Sequence, residues 1–182
     1  MRKSKEEAAL TRKRIVTAAA EMFRKNGIVA TGLNDLMKAA GLTHGGFYKH
    51  FGSKDQLVAE ATALAVDGLL EGMAAHPTMK AAVASYLSVR HRDNPASGCP
   101  LAAIGSELCR SDEKTREAGT VGFVRLVDIL AGKAGTVDAR RRALVAAATM
   151  IGAMTMSRLV TDAKLSDEIL RAAEKSLAAE KP

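Results

Sequence analysis

One short stretch concentrates the residue types that could do chemistry. Residues 41–54 read GLTHGGFYKHFGSK and hold four glycines, two histidines, two lysines and three of the six Phe and Tyr residues in the chain. Glycines let a backbone approach a phosphate closely, while histidine and lysine side chains donate hydrogen bonds to anions or move protons. Such a stretch suits a catalytic loop, a phosphate-binding loop or a helix that contacts DNA.

The rest of the chain gives little support for catalysis or nucleotide binding. The histidines stand apart, at positions 44, 50, 76 and 91, and the sequence contains no CxxC or HExxH motif. A GxGxxG loop must follow a strand and open a helix, and no strand is predicted before Gly41. We therefore expect no enzyme activity, no catalytic residue, no metal and no cofactor. A helical enzyme with its substrate pocket in the second domain stays open as an alternative.

Positive charge is concentrated at the N-terminal end. The 182-residue chain has a net charge of +7 and an isoelectric point of about 9.6. Residues 1–60 carry 11 Lys and Arg against 6 Asp and Glu, whereas residues 61–182 carry 16 against 14. A basic first third favours a polyanionic partner or, equally, a solvated basic surface.

Nothing in the sequence predicts a membrane protein. The longest uncharged run, residues 143–157, is shorter than the roughly 20 residues that a membrane-spanning helix needs. The highly charged start of the chain lacks the apolar core of a signal peptide. We expect a cytoplasmic protein without a membrane partner.

Apolar residues recur at helical spacing along nearly the whole chain, which predicts an all-α fold of about nine helices. Thr31 and Thr43 are expected to cap a second and a third short helix, which form a helix-turn-helix at residues 31–51. Ser53 and Gln56 match the capping box of a fourth helix.

Two further predictions concern the later part of the chain. Residues 92–100 (RDNPASGCP) are expected to form a loop, with Pro100 opening the next helix, and Ser166 is expected to cap the last helix. The predicted domains are a helix-turn-helix domain at residues 1–55 and a helical sensing and dimerisation domain at residues 56–182.

Residues 31–57 contain a dense pattern formed by Thr31, Leu36, Ala40, Gly41, Leu42, Thr43, Gly45, Phe47, Tyr48, His50, Phe51, Ser53, Lys54 and Leu57. In this pattern the chain closely resembles the TetR family of bacterial transcriptional repressors. The resemblance extends over residues 11–61, and the rest of the chain is similar to the family only in length and helical content. It implies a homodimer that binds double-stranded DNA and responds to a small molecule.

The resemblance also implies roles for individual residues. Phosphate contacts are implied for Thr31, Tyr48 and Lys54, and Thr43 would cap the recognition helix within reach of phosphate. Base edges would be faced by His44, Gly45, Gly46 and Lys49. His50 is either a backbone contact or a packed histidine. Gly32 stands where some members of the family place a base-reading side chain, and Gly46 stands where a small hydroxyl residue is common. Fewer side chains therefore remain to read bases, and DNA shape gains importance.

The second domain is expected to supply dimerisation and sensing. The last two helices, which include the small and Met-rich sequence ALVAAATMIGAMTM, are predicted to form the homodimer interface. Candidate residues of an inducer pocket are Met73, Tyr86, Phe123 and Met150, and each of them could instead belong to the core.

Cys99 is a candidate redox sensor. It directly precedes a predicted helix start, and the pKa of a thiol falls at helix N-termini, which favours the reactive thiolate. The alternative is an inert, half-buried thiol. Together these features predict a dimeric repressor that leaves a near-palindromic operator on binding a small molecule or on thiol modification. A DNA-binding architectural protein without an effector is a further alternative.

Overall fold

The computed structural model describes residues 5–134 and 138–179, and all regular structure in these residues is helical. The nine α-helices are α1 (Lys5–Asn26), α2 (Leu33–Ala39), α3 (Lys54–Ala75), α4 (Met79–Tyr86), α5 (Val89–Asp93), α6 (Pro100–Leu108), α7 (Glu113–Ala134), α8 (Ala139–Leu159) and α9 (Ala163–Ala179). Two 3-10 helices span His44–Lys49, which we call the recognition segment, and Pro95–Ser97. The all-α prediction is confirmed.

The head comprises α1, α2 and the recognition segment. Helix α1 buries Ile15, Ala19 and Phe23, spaced four residues apart on one face, and carries acidic residues in its first turn and basic ones in its last. It ends at Gly27, whose φ of +88° and N–H bond to the Phe23 carbonyl (2.8 Å) form a left-handed C-cap.

Helix α2 does not begin with the predicted cap. Its N-cap residue is Gly32, and the buried Thr31 hydroxyl donates to the Gly27 carbonyl (2.6 Å) within the α1–α2 turn. The prediction that Thr31 caps α2 is therefore wrong, because the hydroxyl satisfies a carbonyl of the preceding turn. Helix α2 ends at Gly41, with φ of +69°, and the Leu42 N–H donates to the Met37 carbonyl (2.8 Å) in a Schellman arrangement.

The recognition segment forms a 3-10 helix, whereas an unspecified helix was expected there. The Gly46 N–H donates to the Thr43 carbonyl (3.0 Å) and the His50 N–H to the Phe47 carbonyl (2.9 Å), both with i to i+3 spacing. Adjacent glycines at positions 45 and 46 weaken an α-helix by about 1 kcal/mol each relative to alanine. A six-residue segment therefore settles into the tighter form.

Two clusters of buried apolar side chains organise the molecule, and α3 and α6 contribute to both. The first unites the head with the start of α3 and with Ile104 and Leu108 of α6. The second joins the rest of α3 to α4, α7, α8 and α9, and it includes Cys99 and Ala102 at the start of α6. The predicted domain boundary at residue 55 falls in the first turn of α3 and stays a prediction.

Some local predictions hold and others do not. Ser53 accepts a hydrogen bond from the Gln56 N–H (3.1 Å), and Pro100 occupies the first turn of α6, as expected. The predicted loop at residues 92–100 is partly wrong, because it contains the end of α5 and the second 3-10 helix. Ser166 does not cap α9, which begins three residues earlier; its hydroxyl donates to the Ser157 carbonyl (2.6 Å). Within the described residues, no helix has the length and apolar character needed to cross a membrane.

Candidate nucleic-acid interface

The recognition segment is anchored by aromatic rings on one side and open on the other. Phe47 is fully buried and stacks on Phe51, with ring centroids 5.5 Å apart. Tyr48 meets Phe47 edge to face at 5.1 Å but leaves 66% of its surface exposed. The exposed flank of the recognition segment consists of Thr43, His44, Gly45, Tyr48 and Lys49.

Few side chains project from this flank. An added Cβ would meet nothing within 4 Å at Gly45, and at Gly46 it would lie 3.5 Å from Met37 Cε, which is ordinary contact. Both positions therefore have room for a side chain that the sequence does not supply. The projecting groups are the imidazole of His44, the phenol of Tyr48 and the ammonium of Lys49.

Thr43 occupies the N-cap position of the recognition segment, but its hydroxyl makes no capping hydrogen bond. The predicted side-chain cap is therefore wrong: the 3-10 turn is closed by the Thr43 carbonyl, and the side chain stays exposed. His50 is half-buried at the other end of the segment, and its carbonyl accepts a hydrogen bond from Arg12 Nε (3.4 Å).

Thr31 and Lys54 meet inside the head. The Lys54 ammonium donates to the carbonyl oxygens of Ile28 (2.7 Å) and Thr31 (2.8 Å) and lies 6.0 Å from the ring centroid of Phe23. Thr31 is buried, and its hydroxyl is used within the turn. The structure thus brings these two residues together at the α1–α2 turn, while their phosphate contacts stay a prediction.

Three charged residues that the sequence reasoning missed hold the head together. The Arg12 guanidinium forms a two-pronged ion pair with Glu60 of α3 and stacks 4.5 Å above the Phe51 ring. Arg14 donates to the Ala40 carbonyl (2.6 Å) at the end of α2. No local pattern marks these residues, because their partners lie 26 to 48 positions away.

A cleft of about 460 Å³ opens between α3, α4 and the segment that follows α4. Met73 and Tyr86 line it, together with His76, Arg90 and His91, and an inducer-binding role for the first two stays a prediction. Met150 does not line this cleft but lies fully buried in the second cluster, and Phe123 packs against that cluster from its edge. Met150 and Phe123 therefore belong to the apolar core, which was the alternative to a pocket role.

Cys99 lies behind this cleft, fully buried. Burial raises the pKa of its thiol, and nearby hydrogen-bond donors, the Tyr86 hydroxyl among them, oppose this only in part. The expected lowering of the Cys99 pKa is therefore wrong, because desolvation outweighs the effect of the helix N-terminus. Cys109 is exposed.

His91 connects the cleft wall to Cys99. Its Nδ1 lies 2.6 Å from the Tyr86 carbonyl and its Nε2 lies 2.9 Å from the Cys99 N–H. A carbonyl on one side and an N–H donor on the other fit a neutral imidazole with its proton on Nδ1. Burial, with a smaller contribution from Arg158, lowers the pKa of His91, in agreement with this assignment.

Comparisons with known proteins agree with this geometry. The family model described as bacterial regulatory proteins, tetR family, matches residues 15–61. The HTH-type transcriptional regulator TtgR of Pseudomonas putida is 45% identical over 58 residues, which are 32% of this chain and 28% of TtgR. The match therefore spans less than a third of that relative.

Other matches extend over nearly the whole chain. An uncharacterized HTH-type transcriptional regulator of Mycobacterium tuberculosis is 27% identical over 94% of this chain and 96% of its own length. The crystal structure of a TetR transcriptional regulator from Chloroflexus aurantiacus is 26% identical, covers 96% of this chain and 97% of that one, and superposes with a TM-score of 0.75.

A third match concerns the fold alone. The reduced form of Escherichia coli NemR superposes with a TM-score of 0.78 over 92% of this chain and 94% of NemR, at 18% identity. The head sequence, the helix order and the family model agree: residues 15–61 match the tetR family of bacterial regulatory proteins, and the chain as a whole is similar in sequence and fold to TetR-type transcriptional regulators.

Proposed function

We propose that the protein is a dimeric DNA-binding repressor that reads a near-palindromic operator with the recognition segment. The observation that carries this proposal is the exposed flank, with Phe47 buried directly behind it. A major groove about 12 Å wide admits such a segment, and Lys49 can donate to guanine O6 or N7. His44 and Tyr48 flank it as contacts to bases and phosphates.

The test compares two lysines that differ in position. Lys49→Ala removes a charge from the exposed flank, and Lys80→Ala removes an equally exposed charge from α4, away from the head. Fluorescence anisotropy with DNA from upstream of the gene, and with scrambled DNA, measures affinity and preference.

We expect Lys49→Ala to reduce the preference for the specific sequence about fivefold, since one ammonium–base contact contributes roughly 1 kcal/mol. Lys80→Ala should bind like the wild type. If the two variants were indistinguishable, the recognition segment would not be the reading element.

We infer that the dimer forms through α8 and α9. Helix α8 buries Met150 and Met154 on one face, and Val145, Met156 and Leu159 lie exposed on another. These three residues recur at spacings of 11 and 3, so they share one helix face. An exposed apolar stripe of this kind is characteristic of an interaction surface.

Sedimentation analysis tests the dimer. Leu159→Lys places a charge in the stripe and should convert dimers to monomers. Val121→Lys, at an exposed apolar position on α7, is the matched control and should leave the dimer intact. A dimer that survives Leu159→Lys at micromolar concentration would exclude this face.

A small molecule that binds the 460 Å³ cleft is the proposed signal for release. Such a molecule must prefer a conformation in which the two heads of the dimer no longer match successive major grooves. A thermal-shift screen checks for binding, and anisotropy with operator DNA checks for release. A compound that stabilises the protein without weakening DNA binding would be a ligand but not the inducer.

Thiol modification of Cys99 is the second proposed signal. Arg158 has a half-buried guanidinium near the thiol, with Nη1 lacking a hydrogen-bond partner, and it would stabilise an anionic product. Because Cys99 is buried, modification requires local opening. In a Cys109→Ser variant, iodoacetamide should label Cys99 faster than global unfolding allows, and labelling should release DNA. Labelling at the global unfolding rate would exclude a sensor role.

A further inference from the structure

The turn between α1 and α2 is held by a carboxylate from a distant helix. The N–H groups of Ile28 and Val29 donate to Glu107 Oε1 (3.1 Å) and Oε2 (2.8 Å). Glu107 belongs to α6 and lies 79 and 78 residues further along the chain. Hydrogen bonds to a charged acceptor are stronger than neutral ones, so this carboxylate defines where the turn lies.

The head is shaped to receive this carboxylate. Gly27, with φ of +88°, has no side chain, and a Cβ built on it would lie 2.8 Å from Glu107 Oε1. The neighbouring buried residues of α6, Ile104 and Leu108, pack in the same cluster as Phe23 of the head. Helix α6 is therefore docked against the head, with Glu107 at the point of contact.

The same turn is held from its other side by Lys54. Its ammonium takes the carbonyl oxygens of Ile28 and Thr31, while Glu107 takes the N–H groups of Ile28 and Val29. The positively charged Lys54 thus binds carbonyl oxygens of the turn, and the negatively charged Glu107 binds its N–H groups. Because the turn leads directly into α2, whose C-terminal end connects to the recognition segment, its position sets the orientation of that segment.

We propose that Glu107 is a positioning residue for DNA recognition, which fixes the recognition segment from outside the head through the amides of Ile28 and Val29. The inference rests on the proposed DNA-binding function. Glu107 touches no DNA in this account; it acts through the turn. Removing its carboxylate should loosen the head locally and weaken operator binding without changing the number of phosphate contacts.

The experiment compares Glu107→Ala and Glu107→Gln with Glu117→Gln, an exposed position on α7. Hydrogen exchange followed by NMR measures protection of the Ile28 and Val29 amides, and α8 amides report on the second domain. Anisotropy with operator DNA, corrected for the active fraction, gives Kd and its salt dependence.

We expect Glu107→Ala to lower protection of both amides at least tenfold and to raise Kd about tenfold, with unchanged α8 protection and unchanged salt slope. Glu107→Gln keeps one acceptor and should fall between Glu107→Ala and the wild type, while Glu117→Gln should match the wild type. A mere loss of folding would lower α8 protection and the active fraction instead, and would overturn the inference.

Two other results are informative. If amide protection is lost but Kd stays at the wild-type value, Glu107 holds the turn without positioning the recognition segment, and the inference is overturned. If the wild type itself binds no DNA, the proposed function fails, and the positioning role fails with it. The exchange measurement separates these cases because it needs no DNA.

Discussion

Replacement of Lys54 by methionine distinguishes a structural lysine from a phosphate contact. The ammonium donates to two carbonyl oxygens, of Ile28 and Thr31, at 2.7 and 2.8 Å. A hydrogen bond that involves a charged group contributes about 1.5–3 kcal/mol when buried. Lys54 is half-buried, so water replaces part of each interaction, and we expect a total loss of about 2 kcal/mol. Methionine keeps the apolar stem.

For a chain of this size, a loss of about 2 kcal/mol corresponds to a fall in Tm of roughly 4–8 °C. Urea denaturation and calorimetry measure the loss, and operator binding is followed from 50 to 200 mM salt. We expect the salt slope of Lys54→Met to stay near the wild-type value, because its ammonium is engaged within the head.

Lys49→Met is the matched control and should show the opposite pattern. Lys49 is exposed, so its replacement should change stability by less than about 0.5 kcal/mol while DNA binding weakens. The reasoning is refuted if Lys54→Met is as stable as Lys49→Met and its salt slope falls by about 0.9, the value for one lost phosphate contact.

Two further predictions concern the helices that follow the head. Gly122→Ala would place a Cβ 2.7 Å from both Cγ atoms of Val66, so α7 would be overpacked against α3. We expect the free energy of unfolding, measured by urea denaturation, to fall by about 1–3 kcal/mol. Gly132→Ala is the control and should not be destabilising, because a Cβ there meets nothing within 4 Å. The His91 pKa is lowered in the folded state, so the unfolded state binds more protons below about pH 6.5. His91 therefore stabilises the folded state above that pH, and this stabilisation is lost as the pH falls toward the pKa of His91 in the folded state. Between pH 7.5 and 5.5 the urea midpoint of a His91→Gln variant should change less than that of the wild type.

Local patterns were sufficient for the position of most helices. The four-residue spacing of Ile15, Ala19 and Phe23 reports a buried helix face, and Ser53 followed by Gln56 reports a helix start. In each case the partners lie within a few residues, so the information is present in the local sequence. The exposed flank was also predicted from the local sequence, because an apolar Phe47 followed by Tyr48 and Lys49 indicates which side of the segment is buried and which is exposed.

Predictions failed where a distant partner decides the outcome. Thr31 and Ser166 have the composition of helix caps, but each hydroxyl finds a carbonyl elsewhere. Cys99 stands before a helix, which alone would lower its pKa, but burial beside Tyr86 reverses the direction. Whether a polar group meets solvent, a helix end or a distant carbonyl depends on tertiary packing, which local spacing does not encode.

The α1–α2 turn shows that the structure of the head depends on residues outside the head. A single boundary at residue 55 would leave Lys54 in the head and Glu107 in the sensing domain, yet both hold the same few peptide groups. In the sequence, nothing distinguishes Glu107 from other acidic residues in helices. Gly27 gives no clear signal of the nearby carboxylate either, because its positive φ at the end of α1 already accounts for a glycine there. A movement of α6 of even 1 Å would stretch hydrogen bonds of 2.8–3.1 Å beyond their effective range, so the turn must follow α6 or lose its acceptor. The geometry of the head thus depends on the position of α6, and the N-terminal end of α6 lies behind the cleft.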